Sequence, residues 1–292
     1  MKWCLLCLGL LLLAGCEKAI NFKLKETEPK LVVEATIEND QYPIIILTKS
    51  IGYFSTISLD QLQNSFVHQA DVYVSNGTKT HKLKEYSVHL GALYYMYYYS
   101  VDSANLSSAF KGEINHNYSL RIIADSREYN ANTTIPNITH RIDSLFWKPA
   151  PPGNDSNEVQ VMVRATDRPG FGDYIRYFTK RNSEPFYAGI NSVYDDQVID
   201  GTTYTLQVER GWDRNVEPAN RTSFFLKGDT VTLKVCNIDK ATYNFWRTME
   251  YSYASIGNPF STPTKILSNI SNNALGYFGG YAAQYRTIII PR

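Results

Sequence analysis

Cysteine all but disappears from this chain after residue 16. Of four cysteines in 292 residues, Cys4, Cys7 and Cys16 stand at the start and Cys236 is alone beyond them. One thiol cannot close a disulfide within the chain, so the folded part must be held by core burial rather than by cross-links. Charge of one sign is also wanting: 29 Lys and Arg face 28 Asp and Glu. A balanced chain has no basic field to condense on nucleic acid, which removes nucleic acid as a partner. No apolar run reaches the roughly 20 residues that a membrane-crossing helix needs; the run from Trp3 to Leu13 falls well short. The motifs that carry catalysis are missing as well. There is no Gly-x-Ser-x-Gly elbow, no His-Glu-x-x-His, and no phosphate-binding glycine loop ending in Lys-Ser/Thr. His68, His81, His89, His116 and His140 show no metal-ligand spacing and read as surface or strand-edge residues. The expectation is a chain with no cofactor and no catalytic residue, not an enzyme.

What the first residues do contain is an export layout. Lys2 precedes the apolar run, which ends at the small residues Ala14 and Gly15 before Cys16, the order of a cleaved secretory signal. Leu13-Ala14-Gly15-Cys16 resembles the bacterial lipobox, in which the cysteine thiol is acylated and the signal is cut just before it. On this reading residues 1–15 are a lipoprotein signal peptide, Cys16 is the lipidation site, and residues 16–29, polar and ending in Pro29, are a tether. Each buried CH₂ of an acyl chain contributes about 0.8 kcal/mol, so one chain holds marginally and two or more hold stably.

Beyond the tether the pattern is of strands. Leu31 to Ile37, Pro43 to Lys49 and Val67 to Ser75 read as strands, and Asn76-Gly77 is a hairpin turn into Lys79 to Leu83. Further strands are expected near 93–101, 117–124 and 127–135, with 50–65 as a long loop and no competing helical period. Seven short strands in this span suggest an immunoglobulin- or fibronectin-like β-sandwich over 30–138. A second β-rich domain is expected over 139–292, with strands near 142–148, 158–166, 173–181, 203–210, 222–226, 230–237 and 284–290. One segment there has helical spacing: Phe245, Trp246, Met249, Tyr253 and Ile256 recur every three or four residues. Asp239 can cap the start of this helix, near 239–256, and Gly257 its end. The fold class is therefore mainly β with one packed helix.

Few residues stand out as site candidates. Asp195, Asp196 and Asp200, before Gly201, could offer hard oxygen ligands to Ca²⁺. They lack the alternating ligands of an EF-hand loop, so the segment reads first as an acidic turn before a strand. Leu93 to Tyr99 places Tyr95, Tyr97 and Tyr99 on one face of a strand and Tyr94 and Tyr98 on the other. One face must pack in the core; the other could stack on sugar rings or meet a protein partner. Cys236 lies in an apolar alternation and reads as a buried small hydrophobe.

Taken in order, several short segments resemble one family. They include Cys16-Glu17-Lys18, Pro29 to Glu34, Leu47 to Ser50, Ala70 to Val74, Tyr118 to Ile122 with Tyr129 to Ala131, and Ile135-Pro136 before Ile142 to Leu145. Asp167-Arg168-Pro169-Gly170, Tyr194-Asp195-Asp196 with Asp200-Gly201, Gly228 to Val231, Pro259-Phe260, Ser268 to Ile270 and Gly276 to Gly279 continue it. The chain resembles the DUF4249 lipoproteins of the Bacteroidota, a family of undefined function often encoded near TonB-dependent receptors. Ala35 departs from it, standing where glycine is expected. The resemblance implies an outer-membrane lipoprotein, with a TonB-dependent receptor as partner, and it brings no catalytic residues. The leading expectation is a non-catalytic accessory or binding component held to the membrane by its N-terminal lipid. The alternative is an exported hydrolase of glycans or peptides, with a site assembled from distant residues. The lipobox reading makes one direct prediction: Cys16→Ala abolishes incorporation of radioactive palmitate, and continued labelling would overturn it.

Overall fold

The computed structural model describes residues 28–52, 55, 57–90, 94–217, 221–258, 260–262 and 264–292. The signal, Cys16 and all but the last two residues of the tether lie outside them. In chain order the strands are β1 (Leu31–Glu38), β2 (Ile44–Lys49), β3 (Asp71–Ser75), β4 (Thr80–Leu90), β5 (Tyr94–Val101), β6 (His116–Ala124), β7 (Arg127–Ile135) and β8 (His140–Pro149). They continue as β9 (Glu158–Asp167), β10 (Tyr174–Arg181), β11 (Tyr187–Asp195), β12 (Thr203–Val208), β13 (Phe225–Leu226), β14 (Thr230–Ile238) and β15 (Leu275–Ile289). Among the described residues the helices are α1 (Leu59–Asn64) and α2 (Lys240–Ala254). The fold is mainly β with one packed helix, α2, as the periodicities implied.

Eleven strands form one sheet in the order β11-β10-β14-β15-β1-β2-β5-β4-β3-β6-β7. Its neighbours are antiparallel except β1 and β15, which run parallel. Residues 136–139 link β7 to β8, and the sheet spans that point because β15 returns to lie beside β1. Buried side chains of β1, β2 and β15 share one core with those of β3, β6 and β7, so the sheet rolls into two layers there. A smaller sheet is centred on β9. Strand β8 takes one edge of β9, while β12 and β13 share successive stretches of the other. Its apolar face packs on β10 and β14 through Val159, Val161, Val208 and Phe225 against Ile175, Val231 and Leu233. The opposite face of β14 is covered by α2, which brings Tyr243 and Phe245 onto Cys236 and Ile238. With both faces covered, burial along β14 ceases to alternate after Val235 and becomes continuous. Cys236 is the buried small hydrophobe expected, and burial pushes its thiol up to about 12.

Three segments differ from the sequence expectation. The long loop at 50–65 contains α1, whose start is a capping box: Ser58 Oγ accepts from Gln61 N–H, and Gln61 Oε1 accepts from Ser58 N–H. The Ser-x-x-Gln spacing was the available signal. Strand β11 was not anticipated, because its burial has no clean period; its pairing with β10 carries a register shift between Arg176 and Phe178. The closing strand begins at Leu275 rather than Gln284, its first half disguised by glycine and alanine. Of the expected helical stripe, Phe245, Trp246 and Met249 pack inward, whereas Tyr253 and Ile256 are exposed.

Asp239 ties α2 to the first half of the chain. Its Oδ1 accepts from Thr242 N–H at 2.8 Å, capping the helix. Its Oδ2 accepts from Thr133 Oγ1 at 2.7 Å and Thr134 N–H at 3.0 Å, both on β7. Thr133 Oγ1 in turn accepts from Gly280 N–H on β15 at 2.7 Å. Removing the carboxylate forfeits a cap worth about 1 kcal/mol and strands donors on β7 at about 1–3 kcal/mol each. Asp239→Ala should therefore lower unfolding stability in urea by roughly 2–4 kcal/mol, and Asp239→Asn by less. An alanine variant within about 0.5 kcal/mol of the parent would refute this role.

Candidate functional site

Antiparallel pairing brings the start of β8, the end of β9, the start of β10, the end of β11 and the start of β12 to one end of the second half. His140 opens β8 and pairs in register with Asp167, the last residue of β9. The β9–β10 loop then runs through Pro169, Gly170 and Gly172 to Asp173, and the β11–β12 turn carries Asp196 and Asp200. One ligand atom each from His140, Asp167 and Asp173 lie within 4.8 Å of one another, and the same holds for Asp167, Asp196 and Asp200. Asp167 belongs to both groups.

Backbone donors orient three of the carboxylates. Gly170 N–H donates to Asp200 Oδ1 at 2.6 Å, Gly172 and Asp173 N–H donate to Asp196 Oδ2 at 2.8 and 3.0 Å, and Gly201 N–H donates to Asp167 Oδ2 at 3.3 Å. Gly170 and Gly172 have φ of 129° and 111°, a region that side chains disfavour. Only one oxygen of each of these carboxylates is used in this way. His140 and Asp167 are 2% and 1% exposed, and among the described residues both ring nitrogens of His140 and the Oδ1 of Asp167 have no hydrogen-bond partner. His140 Nδ1 lies 3.2 Å from Asp167 Oδ1, but the pair is not aligned as a hydrogen bond. Among the described residues, no Lys or Arg pairs with Asp167, Asp173, Asp196 or Asp200. Burial holds the His140 imidazole below its ordinary range, against the pull of the neighbouring carboxylates. Burial also raises the Asp167 carboxyl, helped by Asp173 and Asp196 and opposed by His140 and Gly201.

His140 also lines a cavity of about 750 Å³ that adjoins the edge strand β11. Aliphatic side chains of β9, β10 and β14, such as Val163, Ile175 and Leu233, form much of its wall, with Tyr177, Tyr194 and Tyr204 among them. Burial raises all three phenols, Tyr204 to about 12, so at neutral pH they present hydroxyls rather than charge. The charged side chains at the wall include Glu209, Glu250 and Arg247. Val198, Leu206 and Tyr251 line it while 91%, 52% and 54% exposed, which marks a mouth open to solvent. Helix α2 is fixed beside the cavity by Glu250, whose carboxylate accepts from Ser192 N–H at 3.0 Å and Ser192 Oγ at 2.5 Å. Ser192 Oγ also accepts from Arg176 Nε at 3.2 Å.

The acidic turn singled out from sequence is divided by the fold. Asp196 and Asp200 join Asp167, but Asp195 turns toward α2, accepting from Tyr243 Oη at 2.8 Å and lying 3.8 Å from Arg247. Asp167, Asp173 and His140 were not nominated, since they are distant from that turn in sequence; the turn residues Pro169 and Gly170 beside Asp167 were the nearest signal. The reading of all five histidines as surface or strand-edge residues is corrected for two. His140 is buried at the site, and His81 is buried but satisfied, with Nδ1 2.8 Å from Ser108 Oγ and Nε2 accepting from Asp102 N–H. Tyr95, Tyr97 and Tyr99 share a face that runs from exposed to buried. Tyr95 is exposed and stacks on His89, Tyr97 meets His68 edge-on, and Tyr99 is buried with its hydroxyl donating to Val67 O.

Among curated proteins nothing matches this chain. The model of the family described as a domain of unknown function, DUF4249, matches residues 17–287, nearly the whole length, and the chain belongs to that family.

Proposed function

We propose that this protein is an outer-membrane lipoprotein that works by binding: it holds a small, largely apolar ligand in the cavity beside β11 and serves as an accessory to a TonB-dependent receptor. The observation that carries the binding role is the cavity itself. Its volume of about 750 Å³ falls within the roughly 300–1,000 Å³ of small-molecule sites, and mainly apolar walls with a few placed polar groups are their usual chemistry. Tyrosine hydroxyls and Arg247 could orient a polar end of the ligand while Val163, Ile175 and Leu233 take its apolar body. The lipid anchor at Cys16 and the receptor partner rest on the lipobox and the family resemblance.

The second reading, an exported hydrolase, has one observation in its favour: His140, beside the raised carboxyl of Asp167, lines the same cavity. Perturbed titratable groups in a cleft are characteristic of active sites. The binding reading leads because the walls are mainly aliphatic and aromatic, and among the described residues no Ser or Cys lines the cavity beside His140.

Two measurements test the proposal. An apolar fluorescent probe titrated into the mature chain should bind saturably, and Val198→Arg, at a side chain 91% exposed, should weaken it several-fold without loss of fold. Absence of saturable binding would overturn the cavity's role. Pull-down from gently solubilised outer membrane should recover one receptor in stoichiometric amount; a partner-free protein would overturn the accessory role. Turnover of glycan or peptide substrates by the purified chain would favour the hydrolase instead.

A further inference from the structure

The strand-end cluster has a feature that an ordinary acidic turn lacks: buried polar atoms that nothing among the described residues satisfies. Native proteins pair nearly all such atoms, and an unpaired one calls for a water or an ion to complete it. Here both nitrogens of His140 and the Oδ1 of Asp167 are unpaired, within reach of Asp173, and no basic side chain among the described residues offsets the four carboxylates. We propose that His140, Asp167 and Asp173, backed by Asp196 and Asp200, bind a divalent transition-metal cation of the zinc or manganese kind.

The surrounding structure fits this assignment in two ways. First, the backbone N–H groups of Gly170, Gly172, Asp173 and Gly201 hold one oxygen each of Asp200, Asp196 and Asp167, and among the described residues no donor takes the other. Metal-ligating carboxylates are commonly oriented by such outer hydrogen bonds. Second, the donor set is mixed. Calcium is held by oxygen alone, whereas imidazole beside carboxylates suits zinc, iron or manganese. Ligand atoms within 4.8 Å of one another need only a slight closure to meet one ion at about 2.0–2.2 Å. The ion would lie at the wall of the cavity, since His140 faces both.

The test uses the full mature chain, stripped with chelator and dialysed separately against Zn²⁺, Mn²⁺ and Ca²⁺, with bound metal counted by mass spectrometry. The expected result is saturable retention of Zn²⁺ or Mn²⁺ at low micromolar concentration, in preference to Ca²⁺. Asp173→Asn, at a half-buried loop position, should weaken it at least tenfold with an unchanged circular dichroism spectrum. His140→Gln should weaken Zn²⁺ more than Ca²⁺; if that variant does not fold, Asp173→Asn decides alone. Asp155→Asn, on an exposed loop elsewhere, should leave binding unaltered. No saturable retention at 100 μM, retention unaffected by Asp173→Asn, or preference for Ca²⁺ would each overturn the proposal. None of these readings involves the cavity's ligand, so the metal site and the binding function can fail separately.

Discussion

The last strand of the chain is inserted between the first strand and the second half, and the remaining architecture is arranged about that insertion. Strand β15 pairs parallel with β1 from Leu275 opposite Val32 to Tyr281 opposite Glu38, and antiparallel with β14 from Tyr281 opposite Ile238 to Ile289 opposite Thr230. Tyr281 is in register with both neighbours. Side chains alternate from Tyr277 to Ala283, with Phe278 and Ala282 in the core of the first half and Tyr277, Tyr281 and Ala283 under α2. The two cores therefore share a single strand as their wall. Such close fitting restricts the side chains that β15 can carry. A Cβ on Gly280 would stand 2.4 Å from Thr134 O on β7, and one on Gly276, where φ is +93°, would stand 1.9 Å from Val33 O. The glycines that lower the strand's intrinsic propensity are what let two neighbours approach it.

From that wall the order passes outward to the candidate site. Tyr281 Oη accepts from Arg176 Nη1 at 3.3 Å and from Trp246 Nε1 at 3.1 Å, and the Arg176 guanidinium lies 3.3 Å from the Trp246 ring centroid. Arg176 reaches Ser192, and Ser192 reaches Glu250, so β15, β10, β11 and α2 are joined through one buried polar chain. Arg176 and Glu250 are 5% and 7% exposed. Removing one member of a buried charge network typically costs about 3–5 kcal/mol, because the remaining charge cannot be solvated. The network also fixes strands β10 and β11, whose ends carry Asp173 and Asp196. The positions of the carboxylates thus depend on packing far from them.

Strands with a clean period of two were legible, and so was α2 with its Asp239 cap. In both, local chemistry and burial agree, as in β1, where Leu31, Val33, Ala35 and Ile37 are all buried. What was not legible was set by contacts distant in sequence. Strand β11 is an irregular edge, and the first half of β15 is glycine-rich because of neighbours more than a hundred residues away. The site was half visible. Asp196 and Asp200 stood out as a cluster, while His140 and Asp167, their partners in space, lie on separate strands. Asp195 misled for a geometric reason. It ends a strand, where successive side chains point to opposite sides, and it faces Tyr243 on α2 while Asp196 faces the β9–β10 loop.

Another buried carboxylate in the same half shows that the condition of Asp167 is not a general consequence of burial. Asp229 is 4% exposed, but it accepts from Arg181 Nε at 2.7 Å, Asn182 Nδ2 at 2.9 Å and Leu226 N–H at 2.9 Å. Burial alone would raise its carboxyl; those donors outweigh burial and lower it. Asp167 is buried at least as deeply, yet among the described residues it receives one longer backbone donor on Oδ2 and none on Oδ1, and its carboxyl is raised. An arginine at the β10–β14 end supplies what a buried carboxylate requires. At the β9–β10 end the fold gathers three further carboxylates and an imidazole instead, and each added carboxylate deepens the deficit of positive charge. Partner chemistry, rather than depth, separates the two sites.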